Sequence, residues 1–330
     1  MVISTNEKDY GGNYFDVVNS LLPRSSNLEI ATGYIGTSTI KDFMQNFVDI
    51  AKSGGNVKLL VGMAFYEGLK RSQEDVLNEL NHKLKPTGEK NGVYISINGR
   101  YHGKIYSFDI NNDKQYYVGS SNFSSTGLKT NKEFNIFVQD SISKKEIQKY
   151  LDNLFDEENS KTIDNVSIGS ISKRKRIIED DYISIMNRLD KYDTGSILSS
   201  NKEFAFAFPL EYSAKWSKSH LNKYFAKGRE DFSTGIVKPR PWYEVELITP
   251  KKIRDEGDYP IGDFTAYTDD GYIIPMHTSG SNYKNIESRG GLKLFGAWLK
   301  GKLEKSGSLE MFKPFDLEVL DTYGAKELKF

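Results

Sequence analysis

Cysteine is absent from this chain of 330 residues, which excludes disulfide bonds, thiolate nucleophiles and cysteine-ligated zinc together. Apolar runs of membrane-spanning length are missing too, and the first residues contain no charged segment followed by an apolar one. We therefore expect a cytoplasmic protein with no membrane anchor. An excess of one charge is also lacking, because 45 lysines and arginines balance 45 aspartates and glutamates. The net charge of the whole chain therefore gives no sign of an anionic partner.

Histidine is scarce, with four in the chain, and one of the four has unusual neighbours. His102 and Lys104 are separated by one residue, and Ser120 and Asn122 follow in the same stretch. Cleaving a phosphodiester requires a nucleophile, a proton for the leaving oxygen, and positive charge or donors around the non-bridging oxygens. These four side chains are of the types that supply such groups without a metal, so we interpret them as a candidate site.

Turn signals predict where these side chains lie. Residues 93–97 alternate in β-branched and aromatic character, and Asn98-Gly99 predicts a hairpin turn that places His102 on the returning strand. Alternate residues of a strand share a face, so Lys104 projects on the same side as His102. A second turn at residues 111–113 sends the chain back alongside, which brings the serine and the asparagine to the end of a neighbouring strand.

The full spacing of this stretch resembles the signature of the phospholipase D superfamily. The signature is H-x-K-x-x-x-x-D followed, ten residues after the aspartate, by G-S-x-N. It is carried here by His102, Lys104, Asp109, Gly119, Ser120 and Asn122. A glutamate eleven residues beyond the asparagine is a further feature of superfamily nucleases, and Glu133 occupies that position.

The resemblance implies a role for each residue. His102 would attack phosphorus and form a phosphohistidine intermediate. Lys104 and Asn122 would supply charge and donors where a metal nuclease places its cation, so no Mg²⁺ or other cofactor is expected. Glu133 would accept the N–H of the other ring nitrogen of the histidine and fix its tautomer. The predicted catalytic set is His102, Lys104, Ser120, Asn122 and Glu133.

One copy of the motif is present, because none of the other three histidines begins an H-x-K. In the superfamily, phospholipases and lipid synthases usually carry two copies in one chain, whereas small nucleases complete the site by dimerisation. The resemblance therefore implies a homodimer in which the partner's histidine protonates the leaving oxygen. Asp109 is interpreted as structural support for its loop and not as a proton carrier.

The first part of the chain alternates strands and helices, which predicts an α/β sheet domain over residues 1–160. Strands are predicted at 28–33, 57–62 and 131–138, and helices from Ser38, over 72–84, and after a capping box of Ser143 with Glu146. Apolar periodicity weakens over residues 161–190, which are interpreted as a linker carrying a basic run at 173–176.

The remaining residues, 191–330, have a different character, with short aromatic-rich strands and turn signals that suggest a small barrel. One helix is predicted at 292–305. The strands are predicted at 204–208, 242–248, 264–267, 271–275 and 315–320.

The second part extends the resemblance to the NgoFVII/BfiI group of restriction endonucleases. That group joins a phospholipase D-like nuclease domain to a B3-like pseudobarrel that recognises DNA. The matching segments are residues 240–248, 268–271, 284–286 and 294–303.

B3-like domains read the major groove with two loop arms, which we place at residues 213–240 and 277–285. From residue 213 to residue 254, ten lysines and arginines accompany four aspartates and glutamates, so the local charge favours an anionic partner. Arg240 is expected to pair with guanine, and Glu244 or Asp270 to accept from cytosine. The predicted DNA-binding residues are Lys215, Trp216, Lys218, His220, Arg229, Arg240, Glu244, Asp270, His277, Ser281, Asn282 and Lys284.

Taken with the resemblance, the sequence predicts a metal-independent type II site-specific deoxyribonuclease that acts on double-stranded DNA as a homodimer. A cognate methyltransferase encoded separately is left open. One alternative is a non-specific nuclease or phosphodiesterase of the same superfamily. Another is a non-catalytic DNA-binding defence protein that no longer uses the catalytic site.

Overall fold

The structure is a computed structural model, and it describes residues 3–7, 9–192, 207–215, 217–255 and 257–329. The chain forms two compact units: Met1–Ile171 with Lys227–Pro239, and Ser172–Ala226 with Arg240–Phe330. Across the described ranges, no helix combines the length and the apolar character needed to cross a membrane.

The first unit is built on an eight-stranded sheet in the order β1-β7-β6-β5-β2-β3-β4-β8. Strands β2, β3 and β4 are parallel to one another, whereas β5 runs antiparallel to β2 and pairs with β6. The strands are β1 (Ile3–Ser4), β2 (Asn27–Thr32), β3 (Val57–Val61), β4 (Gly92–Ser96), β5 (Ile105–Ile110), β6 (Asp113–Gly119), β7 (Asn135–Val138) and β8 (Ser160–Thr162).

Helices cover both faces of this sheet, which confirms the predicted α/β architecture. On one face α5 contributes Leu151 to a buried cluster that includes Ala31. On the other face α2 contributes Phe43 and Phe47, whose rings stack on Phe123 at 5.8 Å. The helices are α1 (Tyr14–Leu21), α2 (Thr37–Lys52), α3 (Ala64–Glu67), α4 (Arg71–Leu84) and α5 (Ser141–Leu154).

Two predicted helix starts are corrected by the structure. Gly36 is the N-cap of α2, so the helix begins before Ser38. Asp140 caps α5 by accepting a hydrogen bond from the Ser143 amide, in place of the predicted Ser143 and Glu146 box. An aspartate before the first turn offers a charged acceptor to the exposed amides, which favours that earlier start.

The turn predictions had mixed outcomes. The turn at residues 111–113 is confirmed, since β5 and β6 form a hairpin and Asn111 and Asn112 have φ angles of 54° and 62°. The hairpin predicted at Asn98-Gly99 is wrong, because β4 pairs with β3 and β8 and not with β5. The chain instead crosses from β4 to β5 past the ends of β3 and β2. The order β5-β2-β3-β4 follows from the burial of these four strands.

The second unit centres on a five-stranded sheet in which β13, β16, β15 and β14 follow one another and β9 pairs with β15. Helix α9 buries Phe295, Leu299 and Leu303. The elements are α6 (Ile171–Met186), β9 (Asp190–Lys191), β10 (Ala207–Pro209), α7 (Leu210–Ala214), β13 (Leu247–Ile248), α8 (Lys251–Arg254), β14 (Asp263–Tyr267), β15 (Tyr272–Ser279), β16 (Asn285–Ser288), α9 (Lys293–Lys305), α10 (Leu317–Tyr323) and β17 (Glu327–Lys329).

A short hairpin of β11 (Arg229–Glu230) and β12 (Val237–Lys238) belongs to the first unit although it lies in the second half of the chain. The Ser167 amide donates to the Val237 carbonyl at 2.9 Å, and the Gly228 amide donates to that of Ile97 at 3.1 Å. The predicted first arm, residues 213–240, is therefore divided between the units.

Several predictions for the second part change. Strands near 264–267 and 271–275 and the helix near 292–305 are confirmed as β14, β15 and α9. The strand predicted at 315–320 is wrong, because Asp316 caps helix α10 by accepting from the Val319 amide. The predicted linker holds the end of β8 and helix α6. Residues 204–206 lie outside the described residues.

Candidate active site and DNA-binding residues

The predicted catalytic residues gather at one edge of the first sheet, where β2, β3, β4 and β6 end and β5 begins. Residues 97–104 link β4 to β5 and pass the ends of β3 and β2, because those strands lie between them in the sheet. The passage is close: a Cβ on Gly62, just after β3, would lie 2.1 Å from the Tyr101 carbonyl oxygen. The glycine therefore lets the connecting segment rest directly on the sheet edge.

His102 and Lys104 lie at the end of this connecting segment and touch each other. Lys104 Nζ lies 3.2 Å from His102 Nδ1 and also donates to the His102 carbonyl. The histidine is exposed, whereas the lysine is only 4% exposed. Burial lowers the pKa of Lys104 from its ordinary value, and the nearby Glu133 carboxylate partly opposes that shift. The lysine is thus a fixed charge held against an accessible imidazole.

Asn122 reaches the same spot from the loop after β6. A Cβ on Gly33, at the end of β2, would lie 3.2 Å from His102 Cδ2 and 3.5 Å from Asn122 Oδ1. The Asn122 oxygen accepts from the Tyr34 amide at 3.1 Å and from the Thr32 hydroxyl at 3.4 Å. These two donors orient the carboxamide, which leaves its NH₂ group as the part that can donate to a ligand.

Ser120 and Glu133 are hydrogen-bonded to each other and link the end of β6 to the start of β7. The Ser120 hydroxyl donates to the Glu133 carboxylate and accepts from the Phe134 amide at 3.0 Å. The Ser120 amide in turn donates to the Phe134 carbonyl at 3.0 Å. Glu133 precedes β7, which begins at Asn135, so the predicted strand start at residue 131 is corrected. The expected contact of this glutamate with the imidazole of His102 stays a prediction.

Asp109 lies apart from this group, at the other end of β5. Its carboxylate accepts from the Asn27 amide group at 3.0 Å. A strand rises about 3.3 Å per residue, so five residues place it roughly 17 Å along β5 from Lys104. The role of Asp109 as structural support for its loop stays a prediction.

The sequence interpretation missed Tyr34, which borders His102, and the two residues linked to it, Glu67 and Arg100. The Tyr34 ring meets the imidazole edge to face, with centroids 5.5 Å apart and planes at 79°. Its hydroxyl donates to Glu67 at 2.9 Å, and Arg100 donates to the other oxygen of that carboxylate at 2.7 Å. The available signal was the predicted strand at 28–33, since ligand-facing groups of such sheets gather beyond strand ends.

Donor groups dominate what this edge offers to a ligand. The Lys104 ammonium and the Asn122 NH₂ group stand beside the exposed imidazole of His102. Such groups suit the oxygens of a phosphodiester. Among the residues that the structure describes, no three histidine, aspartate or glutamate side chains are grouped to hold a metal ion.

Two of the predicted first-arm residues make hydrogen bonds within the protein, and their contacts with DNA stay a prediction. Arg240 Nε donates to Glu244 at 3.0 Å, and the Glu244 side chain is buried. His220 is 1% exposed, and its Nδ1 accepts from the Ile248 amide at 3.2 Å. Burial lowers the pKa of His220 to about 4, which keeps the ring neutral.

Other predicted DNA-binding residues are exposed, and they fall on both units. Arg229 lies on the β11–β12 hairpin of the first unit, whereas Lys215 and Lys218 follow α7 in the second. Asp270 is exposed, yet its carboxylate accepts from Trp298 Nε1 at 2.8 Å. Trp216 lies outside the described residues.

The second predicted arm, residues 277–285, begins within β15 and continues beyond it. His277 Nδ1 lies 2.9 Å from Asp263, which also pairs with Arg289 at 2.9 Å. These three residues line a groove of about 480 Å³. Beyond β15 the chain turns at Ser281–Tyr283, where Asn282 adopts a φ of 55°. The three residues predicted here to contact DNA, Ser281, Asn282 and Lys284, are exposed.

Comparisons with known proteins agree with this division. The N-terminal PLD domain of NgoFVII restriction endonuclease matches residues 14–168. The NgoFVII C-terminal B3-like DNA-binding domain matches residues 196–330. The predicted fold class, a phospholipase D-like α/β domain followed by a B3-like domain, is thereby confirmed. No curated protein matches the chain.

Solved structures give weaker similarities. A phospholipase D family member, Nuc from Salmonella typhimurium, is 13% identical with a TM-score of 0.36, over 48% of this chain and 96% of that chain. NucT from Helicobacter pylori is 21% identical with a TM-score of 0.32, over 42% and 87%. Polyphosphate kinase from Porphyromonas gingivalis is 12% identical with a TM-score of 0.33, over 51% and 27%.

Proposed function

Because the chain belongs to the NgoFVII restriction endonuclease family, in which a PLD nuclease domain precedes a B3-like DNA-binding domain, we propose that it cuts specific DNA sequences through a covalent phosphohistidine at His102. As a family member it is a nuclease. The observation that carries the proposal is the meeting of the His102, Lys104 and Asn122 side chains at one sheet edge.

The proposed reaction has two displacements. In the first, an imidazole nitrogen of His102 attacks phosphorus, and the bond from phosphorus to the leaving oxygen breaks. The partner subunit's His102 gives its proton to that oxygen. In the second, the same partner histidine takes a proton from water, and the resulting hydroxide displaces the imidazole from phosphorus. The products are the phosphate end and the hydroxyl end of the cut strand, one water molecule is consumed, and the enzyme is returned to its starting state.

Fixed donors would stabilise the charge that builds up on the non-bridging oxygens. Lys104 is buried and held beside the nucleophile, so little reorganisation is needed when the phosphate arrives. Asn122 presents its NH₂ group because its oxygen is held by the Tyr34 amide and Thr32. We propose that these groups replace a divalent cation, so the reaction proceeds without Mg²⁺.

Glu133 and Ser120 would tune the nucleophile. A carboxylate that accepts the N–H of one imidazole nitrogen leaves the lone pair on the other nitrogen for attack. Ser120 donates to Glu133, which supports a role of the serine in holding that carboxylate. We propose that Lys104 exchanges its contact with His102 Nδ1 for a phosphate oxygen when DNA binds, and that Glu133 then takes over this nitrogen.

A homodimer is part of the proposal, because the chain holds a single H-x-K motif and the second displacement needs a second histidine. A two-fold axis through the sheet edge would bring two identical sites together. We further propose a cytoplasmic location and a separately encoded methyltransferase that protects the host's own sites.

DNA recognition is proposed for the exposed arm residues of the second unit. Lys215 and Lys218 after α7, and Asn282 and Lys284 beyond β15, are exposed and of types that contact phosphates or base edges. Arg240 and Glu244 are proposed to act as a pair, since a separate base contact by either would break their 3.0 Å bond.

The test is incubation of the full-length protein with plasmid DNA of mixed sequence in excess EDTA. Discrete fragments support the proposal, a smear indicates a non-specific nuclease, and intact DNA together with specific binding indicates a non-catalytic DNA-binding protein. Cleavage that EDTA abolishes and Mg²⁺ restores contradicts the metal-independent mechanism.

The nucleophile is tested by His102→Ala with His82→Ala as matched control, because His82 is exposed on α4 and outside the site. Removing a nucleophile from a covalent mechanism costs on the order of 10⁶ in rate. His102→Ala should therefore abolish cleavage and keep specific binding, whereas His82→Ala should cut as the unaltered protein does. A labelled phosphate transferred from DNA to the denatured enzyme, and absent in His102→Ala, identifies the intermediate.

A further inference from the structure

Tyr34 makes three different contacts with the candidate active site. Its backbone amide donates to Asn122 Oδ1 at 3.1 Å. Its ring packs edge to face on the His102 imidazole, with centroids 5.5 Å apart. Its hydroxyl donates to Glu67 Oε2 at 2.9 Å. One residue thus touches the proposed nucleophile and the proposed donor and is itself anchored at its far end.

The anchor returns to the segment that carries the nucleophile. Glu67 closes helix α3, and its other carboxylate oxygen lies 2.7 Å from the Arg100 guanidinium. Arg100 lies two residues before His102 in the segment between β4 and β5. Tyr34 therefore contacts both His102 and Glu67, and Glu67 contacts Arg100. The chain itself joins Arg100 to His102, and we call these four residues the tyrosine bracket.

The tyrosine hydroxyl remains a donor over the working pH range. Burial first, and then the hydrogen bond and the negative charge of Glu67, raise the pKa of Tyr34 to about 12. The ring is 39% exposed, so it borders the space in which a ligand of His102 would sit. Its place beside the imidazole is fixed at both ends, by the backbone amide and by the hydroxyl.

We propose that Tyr34 is a positioning residue that holds the His102 imidazole in the orientation needed for attack on phosphorus. This inference rests on the proposed nuclease function, since it assigns the orientation of that nucleophile. An exposed imidazole can rotate about two side-chain torsions, and misplacing a reacting group by about 1 Å costs roughly 100-fold in rate. The edge-to-face ring contact and the Glu67 anchor restrict that rotation.

The test compares Tyr34→Leu and Tyr34→Phe in the full-length protein, with Tyr10→Leu as control, because Tyr10 is another exposed tyrosine of the first unit. Neither Tyr34 substitution removes the amide bond to Asn122. With enzyme in excess over DNA, Tyr34→Leu should slow cleavage by about 10-fold to 100-fold. Tyr34→Phe keeps the ring and loses the anchor, so it should slow cleavage by several-fold. DNA affinity should stay within about twofold in every variant.

A second measurement needs no cleavage. In protein labelled at histidine, the His102 ring signals are assigned by their loss in His102→Ala, and the Tyr34 ring current should shift them. Tyr34→Leu should move these signals, whereas Tyr34→Phe and Tyr10→Leu should leave them nearly unchanged.

Each outcome either supports or overturns the positioning role of Tyr34. It is overturned if Tyr34→Leu cuts as fast as the unaltered protein, if its loss is entirely weaker DNA binding, or if the His102 signals do not move. If the unaltered protein cuts no DNA, the proposed function fails, and the His102 signals alone decide whether Tyr34 holds the ring. Slower cleavage by Tyr34→Leu at unchanged DNA affinity, together with shifted His102 signals, supports the positioning role of Tyr34.

Discussion

Gly33→Ala adds a single methyl group directly beneath the proposed nucleophile. The new Cβ would lie 3.2 Å from His102 Cδ2, 3.4 Å from its Cα and 3.5 Å from Asn122 Oδ1. Carbon atoms in contact prefer about 3.5–4.0 Å. The added methyl therefore pushes the imidazole away by a few tenths of an ångström.

The expected loss of rate follows from that displacement. A misplacement of about 1 Å costs roughly 100-fold, so a few tenths of an ångström should cost about 4-fold to 10-fold. The free energy of unfolding should change by less than about 1 kcal/mol, because the other contacts are ordinary. Affinity for specific DNA should be unchanged, since recognition is assigned to the second unit.

The assay is single-turnover cleavage of a specific duplex in EDTA, with unfolding in urea and DNA affinity measured on the same samples. Gly257→Ala is the control, because a Cβ there meets no atom within 4 Å. Full cleavage by Gly33→Ala at unchanged stability would refute the reasoning, since it would mean that the position of His102 does not limit the reaction.

Three further outcomes are expected. His220→Asn suits the φ of 54°, keeps an acceptor for the Ile248 amide and should make the free energy of unfolding less sensitive to acid. The unfolded chain protonates His220 below pH 6.5 but the native protein only near pH 4, so the unaltered protein loses up to about 3 kcal/mol of its free energy of unfolding as the pH falls across that interval. Equal urea midpoints at pH 7 and pH 5 in the unaltered protein would contradict this. Asp316→Ala should cost about 1 kcal/mol through loss of the α10 cap in thermal unfolding, and no loss would show the cap to be dispensable. Gly62→Ala should prevent the first unit from folding, because its Cβ would lie 2.1 Å from the Tyr101 oxygen, as circular dichroism would report; a native spectrum would show that the segment can move away.

Local patterns in the sequence determined much of the molecule. Helices α4 and α9 follow from apolar periodicity, and the β5–β6 turn follows from consecutive asparagines that tolerate positive φ. His102 and Lys104 approach within 3.2 Å as the sequence predicts, although they lie just before β5 and not on the predicted strand. These features depend on neighbours a few residues apart, and such neighbours are visible in the sequence.

Strand order and the residues brought in from afar were decided only by the tertiary structure. Asn98-Gly99 favours a hairpin locally, but burying β2 and β3 inside the sheet places β4 and β5 apart, and the turn becomes a crossing segment. Tyr34 and Glu67 meet Arg100 and His102 only because that segment passes the ends of β2 and β3. Likewise the β11–β12 hairpin joins the first unit through bonds over long chain separations. Such contacts depend on which surfaces can be buried together, and no local pattern encodes that choice.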